Sequence, residues 1–429
     1  VIPPKQKKMK KKISLVIFLL SGLLWAQNHT EWVRLHLDSD FYKTQFTGFY
    51  LYDPQTKQVL ENYNGEKAFT PASNVKILTL FSALKTLGDS IPALKYERKA
   101  GDLYIQGLGD PTFLHPEFKS VNKVVDFLKK EPGKIVLSWG KFEGTRMGLG
   151  WSWEDYEKYY SAERSELPMY GNMAEIKRGK SGPTAFPPTL ADSVEYQESL
   201  FSRDFYDNKF FLGSRNGNAA RVPFVVKNEL IRQMLADATK KEVELSDKDL
   251  SKSAKVLFSL PSDMVYKRMM EVSDNFLAEQ ILLMVSAKNG TGMSTEKAIQ
   301  QITSKHLKGM PQTPVWVDGS GLSRYNLFSP QSMVYVLDKM YQEFPQERLF
   351  NIFAVGGRTG TLKNNYGGKR PYVYAKSGTL SNNYCLSGYL VTNSGKTLIF
   401  SIMNNHYLKE NWQVRQETQK LLEFIRDNY

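Results

Sequence analysis

Ser73-Asn74-Val75-Lys76, Ser273-Asp274-Asn275 and Lys376-Ser377-Gly378-Thr379 are the three stretches whose order and setting decide the fold. They offer a serine with a lysine one helical turn on, a second hydroxyl beside an amide, and a lysine followed by two hydroxyl residues. Each pattern alone is common. S-x-x-K also occurs at Ser82/Lys85, Ser120/Lys123, Ser138/Lys141 and Ser294/Lys297, and K-S-G recurs at Lys180-Ser181-Gly182. Local context separates the copies.

Ser73–Leu87 is an apolar run preceded by Thr70-Pro71-Ala72 and followed by Gly88, a helix with a start signal and a glycine stop. Apolar residues on most faces predict a core helix. Lys76 is three residues after Ser73, about 4.5 Å further along the axis and on the same face, so its amine reaches the hydroxyl. A lysine in an apolar setting loses its proton more easily, which suits a general base. The helix N-terminus favours negative charge developing there. An ordinary serine N-cap with a surface lysine would look the same locally; the other two stretches tip the balance. Ser82, inside the same helix, is expected to bond backbone.

Val373–Gly378, Tyr384–Thr392 and Thr397–Met403 are separated by the turns Leu-Ser-Asn-Asn and Asn393-Ser394-Gly395-Lys396, which predicts an antiparallel meander. Lys376 and Thr379 then lie at the end of its first strand, where backbone can pair with an extended peptide. The Lys180 copy runs into Pro183 and is poor strand material. Ser262–Glu271 and Asn275–Ala287 have helical patterns, with Ser273-Asp274 at their joint as an N-cap.

Taken together the set resembles the S-x-x-K, S-D-N and K-[ST]-G signature of penicillin-binding proteins and serine β-lactamases. More narrowly, the chain resembles the class C low-molecular-mass penicillin-binding proteins, a family of serine D-alanyl-D-alanine carboxypeptidase/endopeptidases. Gly107-Leu108-Gly109-Asp110-Pro111-Thr112, Gly150-Trp151-Ser152-Trp153-Glu154-Asp155 with Tyr159-Tyr160, Asp318-Gly319-Ser320-Gly321-Leu322-Ser323-Arg324, and Gly360-Thr361-Leu362 carry it further, from about Phe46 to Asn404. Two departures stand out: Ser377 where threonine is commoner, and Glu154 where aspartate is usual. The stretch from about 180 to 255 resembles nothing usable.

The resemblance implies a mixed α/β (α+β) fold of the serine β-lactamase/transpeptidase type, an antiparallel sheet covered by helices. It implies Ser73 as nucleophile, Lys76 as its base, Ser273 as proton relay with Lys376 holding its field, and Asn275 as an amide for the substrate carbonyl. Ser377, Gly378 and Thr379 would form the substrate-binding strand, the two hydroxyls taking the terminal carboxylate. Backbone N–H groups of Ser73 and Thr379 would form the oxyanion hole. The expected activity is D-Ala-D-Ala carboxypeptidase, extending to endopeptidase, on peptidoglycan stem peptides, with β-lactams as covalent inhibitors. A β-lactamase or esterase with the same motifs is the alternative within enzymes; a silent cell-wall-binding protein is the alternative outside them.

The 429 residues, 41% hydrophobic, suffice for a large core and two or three domains. The 196 residues between Lys76 and Ser273 are too many for a simple connection. Residues 28–92 plus 257–429 are expected to form a discontinuous catalytic domain, with 93–256 an inserted, mostly β region. Gly48–Leu51 and Val59–Tyr63 read as a hairpin joining the meander, with Gln413–Arg426 a helix packed on that sheet. Lys10-Lys11-Lys12, the apolar run Ile13–Leu24 and Ala26 read as a signal peptide over 1–26, implying export to the periplasm, with Met9 the expected start and 1–8 upstream of it. Six of the charges behind the net +13 are Lys5, Lys7, Lys8, Lys10, Lys11 and Lys12, which leaves about +7. That surplus suits anionic cell wall or membrane surface; no zinc-finger or RNA-binding spacing points to nucleic acid. The lone Cys385 forbids an internal disulfide and reads as a buried apolar residue. His29, His36, His115, His306 and His406 show no H-E-x-x-H spacing, so neither metal nor cofactor is expected.

Overall fold

Two distant runs of the chain build the central sheet. In the computed structural model, which describes residues 29–118, 123–180, 182–198, 201–213, 219–290 and 292–429, the strand order is Ala354–Val355, Val373–Leu380, Asn383–Val391, Thr397–Asn405, Phe46–Asp53, Gln58–Tyr63. All neighbours are antiparallel, and the seam joining the N-terminal hairpin to the C-terminal meander is the pairing of Phe46–Asp53 with Thr397–Asn405. The segment expected to be a signal peptide lies outside the described residues.

Because successive strand side chains point to opposite faces, each strand feeds two cores. Cys385, Tyr389, Ile399 and Met403 face one side, with the buried helices Lys76–Thr86, Asn275–Lys288 and Pro330–Glu343. Tyr384, Leu386, Leu390, Leu398, Phe400 and Ile402 face the other, with Val414, Leu421, Leu422 and Ile425 of the helix Asn411–Asn428. Cys385 is fully buried and free.

The chain between the helix Lys76–Thr86 and the Ser273 joint forms further sheets. Five strands run Val243–Ser246, Ile135–Ser138, Asp102–Gly107, Ser90–Lys99, Lys255–Pro261, two of the four pairings being parallel. Two three-stranded sheets and the helices Lys123–Lys130 and Asn228–Thr239 complete this part, around a core of its own. The expectation of a helix-covered antiparallel sheet with a largely β insertion agrees with this architecture. Lys180 and Gly182 lie between the strands Met173–Arg178 and Pro183–Phe186 rather than in a strand.

Candidate active site

The helix carrying Lys76 does not begin as a plain α-helix at Ser73. Ala72–Val75 is a 3₁₀ turn, and the α-helix follows from Lys76 to Thr86. Ala72 has φ +48°, and the Gly321 backbone lies so close that a Cβ there would overlap the Ala72 carbonyl oxygen. Gly378 meets the same turn from the strand side: a Cβ on it would lie 2.6 Å from the Pro71 oxygen and 2.9 Å from the Ser73 nitrogen. Glycine at 321 and 378 thus lets two other segments close onto the start of the helix.

Lys76 Nζ donates to Ser73 Oγ at 2.9 Å, to Asn275 Oδ1 at 2.7 Å and to the Ser320 carbonyl at 2.6 Å. It is fully buried, and burial lowers its pKa to about 8, against the raising effect of Asp318, Glu279 and Asp274. The setting is therefore a polar network and not the apolar surround that the helix pattern suggests. Ser82 bonds the Leu78 carbonyl, as its place inside the helix predicts.

Ser273 sits at the joint between the helices Ser262–Glu271 and Asn275–Lys288 with φ +62°, and Asp274 caps the second helix by accepting from Leu277 N–H at 3.1 Å. That left-handed residue turns its hydroxyl towards the sheet, where Lys376 Nζ donates to it at 2.9 Å and to the Ser377 carbonyl at 2.6 Å. Lys376 is fully buried and lies well below the ordinary lysine pKa, by burial first and the charge of Lys76 second. Asn275 Nδ2 donates to the Tyr160 carbonyl at 3.0 Å, and the Ser377 and Thr361 hydroxyls are 2.6 Å apart. The structure thus brings Ser73, Lys76, Ser273, Asn275, Lys376, Ser377, Gly378 and Thr379 to one place.

The supporting stretches are the frame behind it. Asp318 accepts from the N–H groups of Gly321 and Ser323 and from Trp151 Nε1, tying two of those stretches together and holding the Ser320 carbonyl over Lys76. Gln280 Nε2 docks on the Gly109 carbonyl. Glu279, which the pattern reading missed, is fully buried behind Lys76 and accepts from Gly319 and Ser320 N–H at 2.9 and 2.8 Å. Burial, then the charge of Asp318, raises its pKa to about 7, with Arg164 opposing. The polar pair Glu279-Gln280 inside the otherwise apolar run Phe276–Val285 was the available signal.

Ser73 lies between two clefts, of about 690 and 490 Å³, that share Tyr160, Asn275 and Thr379. The first is lined by Glu154, Asp155, Arg324 and the Ser381-Asn382 turn; the second by Ser273, Thr361, Ser377, His115 and Arg415. His115 is buried against Phe276 and Phe118, and burial lowers its pKa to about 4.

A helix-covered antiparallel sheet with two buried lysines, one on the covering helix and one on a strand, each beside a serine, defines a serine–lysine acyl-transferring hydrolase of the penicillin-binding type. A model of the D-Ala-D-Ala carboxypeptidase 3 (S13) family matches residues 33–201 and 219–427. The chain belongs to that family and is a serine-type D-alanyl-D-alanine carboxypeptidase of the low-molecular-mass penicillin-binding class. It is 25% identical to the D-alanyl-D-alanine carboxypeptidase DacB of Haemophilus influenzae, over 89% of this chain and 90% of that one. It is 26% identical to a D-alanyl-D-alanine carboxypeptidase of an Actinomadura strain, over 84% and 77%. The crystal structure of penicillin binding protein 4 from Haemophilus influenzae superimposes with a TM-score of 0.72 at 22% identity, covering 92% of this chain and 98% of that one.

Proposed function

We propose that the enzyme cleaves the bond between two D-alanines of a peptidoglycan stem peptide through an acyl-enzyme on Ser73. Neutral Lys76 takes the Ser73 proton as Oγ attacks the carbonyl carbon. The N–H groups of Ser73 and Thr379 hold the oxyanion, a contribution of about 10²–10³ in rate per donor in comparable sites. The C–N bond breaks as Ser273 passes its proton to the leaving amine and takes up in turn the proton that Lys76 removed from Ser73, with Lys376 beside it. Water then enters, and hydrolysis of the ester frees Ser73. Asn275 holds both the Lys76 amine and, through its amide, the substrate backbone.

The observation that carries this reading is the pair of buried lysines, each 2.9 Å from a serine hydroxyl that opens on a cleft. Ser73 between two clefts also leaves room for peptide on both sides of the scissile bond, which supports endopeptidase action on crosslinked stems. We assign the catalytic unit to residues 28–92 plus 257–429 and an accessory unit to 93–256. Residues 1–26 are proposed as a leader exporting the enzyme to the periplasm, where the basic surplus suits an anionic wall or membrane surface. No helix among the described residues is long and apolar enough to cross a membrane.

The test is intact mass after incubation with benzylpenicillin, on wild type and Ser73→Ala together. A stable adduct on wild type alone is expected. An adduct of equal yield on Ser73→Ala would remove Ser73 from the role.

A further inference from the structure

The second cleft contains a cation that the acyl-transfer chemistry does not use. Arg415, on the helix Asn411–Asn428, lines it together with Ser377, Thr379 and Thr361. Among the described residues Arg415 forms no ion pair and no side-chain hydrogen bond, and its Nε is buried without a partner. Its guanidinium lies over the Tyr384 ring, 5.1 Å from the centroid, and the groups its charge acts on there are the phenols of Tyr366, Tyr384 and Tyr407. Arg268, in the same cleft, is by contrast paired with Glu117 at 3.1 Å and Asp274 at 3.7 Å.

Strand geometry shows why Arg415 shares the cleft with the two hydroxyls. Ser377 is opposite Leu386 and Thr379 opposite Tyr384, so the four share one sheet face. That face is the one the helix Asn411–Asn428 covers, through Tyr384, Leu386, Val414 and Leu421. Lys376 and Gly378 alternate to the other face, towards the nucleophile helix. The relay serine, Ser273, opens on the same cleft as Arg415, so a leaving amine protonated there departs into it.

We propose that Arg415 anchors the free α-carboxylate of the leaving D-amino acid, as a positioning and specificity residue that works with the Ser377 and Thr379 hydroxyls. The inference rests on the peptidase reading above. A leaving D-alanine, or the D-centre of a crosslinked residue, carries one carboxylate at its Cα, and a guanidinium without a protein partner is the fork that geometry suits. Tyr384 beneath it keeps the fork in place without neutralising it.

The test compares an acyl-D-Ala-D-Ala peptide with the same peptide as its C-terminal amide, on wild type, Arg415→Gln and Arg415→Lys. Arg415→Gln is expected to lose about 10- to 100-fold in kcat/KM on the free acid, mostly in KM, with little change on the amide; Arg415→Lys recovers part of it. Equal losses on both peptides, or none on the acid, would overturn the proposal. Binding of the two peptides to Ser73→Ala, with and without Arg415→Gln, separates this from the peptidase reading. Preference for the acid that disappears with Arg415→Gln supports the anchor even if wild type turns over neither peptide, which would sink the peptidase reading alone. Absence of any such preference removes the anchor whatever the turnover.

Discussion

Lys76 and Lys376 bury two amines in one site, each 2.9 Å from its own serine, and the charge of Lys76 adds to burial in holding Lys376 far below an ordinary lysine. Placing two ammonium groups together in a low-dielectric site is unfavourable, so protons leave them more readily than in water. That is the condition a lysine needs to act as a base near neutral pH.

Acylation should therefore follow the loss of the Lys76 proton. Its pKa, lowered from 10.5 to about 8, means the ammonium form predominates below that pH and the amine above it. The second-order rate constant for benzylpenicillin acylation is expected to rise about tenfold per pH unit below the midpoint and to level above it. A profile that is flat between pH 6 and 9 would remove Lys76 as the base. Lys76→Ala acylating at the wild-type rate would do the same.

The backbone at Ser273 separates a structural from a chemical role. Its φ of +62° costs a non-glycine residue about 1 kcal/mol or more. Ser273→Gly should consequently be about 1 kcal/mol more stable than Ser273→Ala in denaturant unfolding. Both lack the relay hydroxyl, and both should lose about 10²-fold or more in peptide turnover. If Ser273→Gly retained wild-type turnover, the hydroxyl would have no part in proton transfer.

Gly378→Ala probes the contact between strand and helix. Its Cβ would press on the Pro71 oxygen at 2.6 Å, Asn74 Nδ2 at 2.8 Å and the Ser73 nitrogen at 2.9 Å, all tighter than real contacts. Strand or turn must then shift by several tenths of an ångström, which misplaces one oxyanion donor. Acylation is expected to slow by about 10²-fold, with circular dichroism close to wild type. Unchanged acylation would show that the turn yields without cost to the site.

Much of this site was legible because it is local. The meander, the hairpin, the helix starting at Asn275 and the helix carrying Lys76 each announce themselves through periodicity and turn residues, and the motif residues sit at their ends. What was not legible depends on tertiary packing. Arg415 lies on a helix rich in charged residues, where nothing in the sequence separates a cleft-facing arginine from a solvated one. The polar surround of Lys76 was hidden for the same reason: Asp318, Glu279 and Ser320 come from two segments more than 200 residues downstream. The left-handed turn at Ser273 has no glycine or asparagine at that position to signal it.

Glu279 provides the test of that hidden network. Its carboxylate raises the Lys76 pKa, so while it is charged it holds the proton on Lys76. Glu279 has a raised pKa of its own, about 7, and is thus mostly ionised in the range where Lys76 titrates. Glu279→Gln keeps an acceptor oxygen for the Gly319 and Ser320 N–H groups and removes the charge. The midpoint of the acylation profile is then expected to move to lower pH, giving faster acylation between about pH 7 and 8, where wild-type Glu279 is charged, and an unchanged plateau. A midpoint moving upward would mean that Glu279 governs Lys76 through the position of the Ser320 carbonyl and not through its charge. Loss of the plateau itself would assign Glu279 to holding the loop, and thermal unfolding of the same variant would show the matching loss of stability.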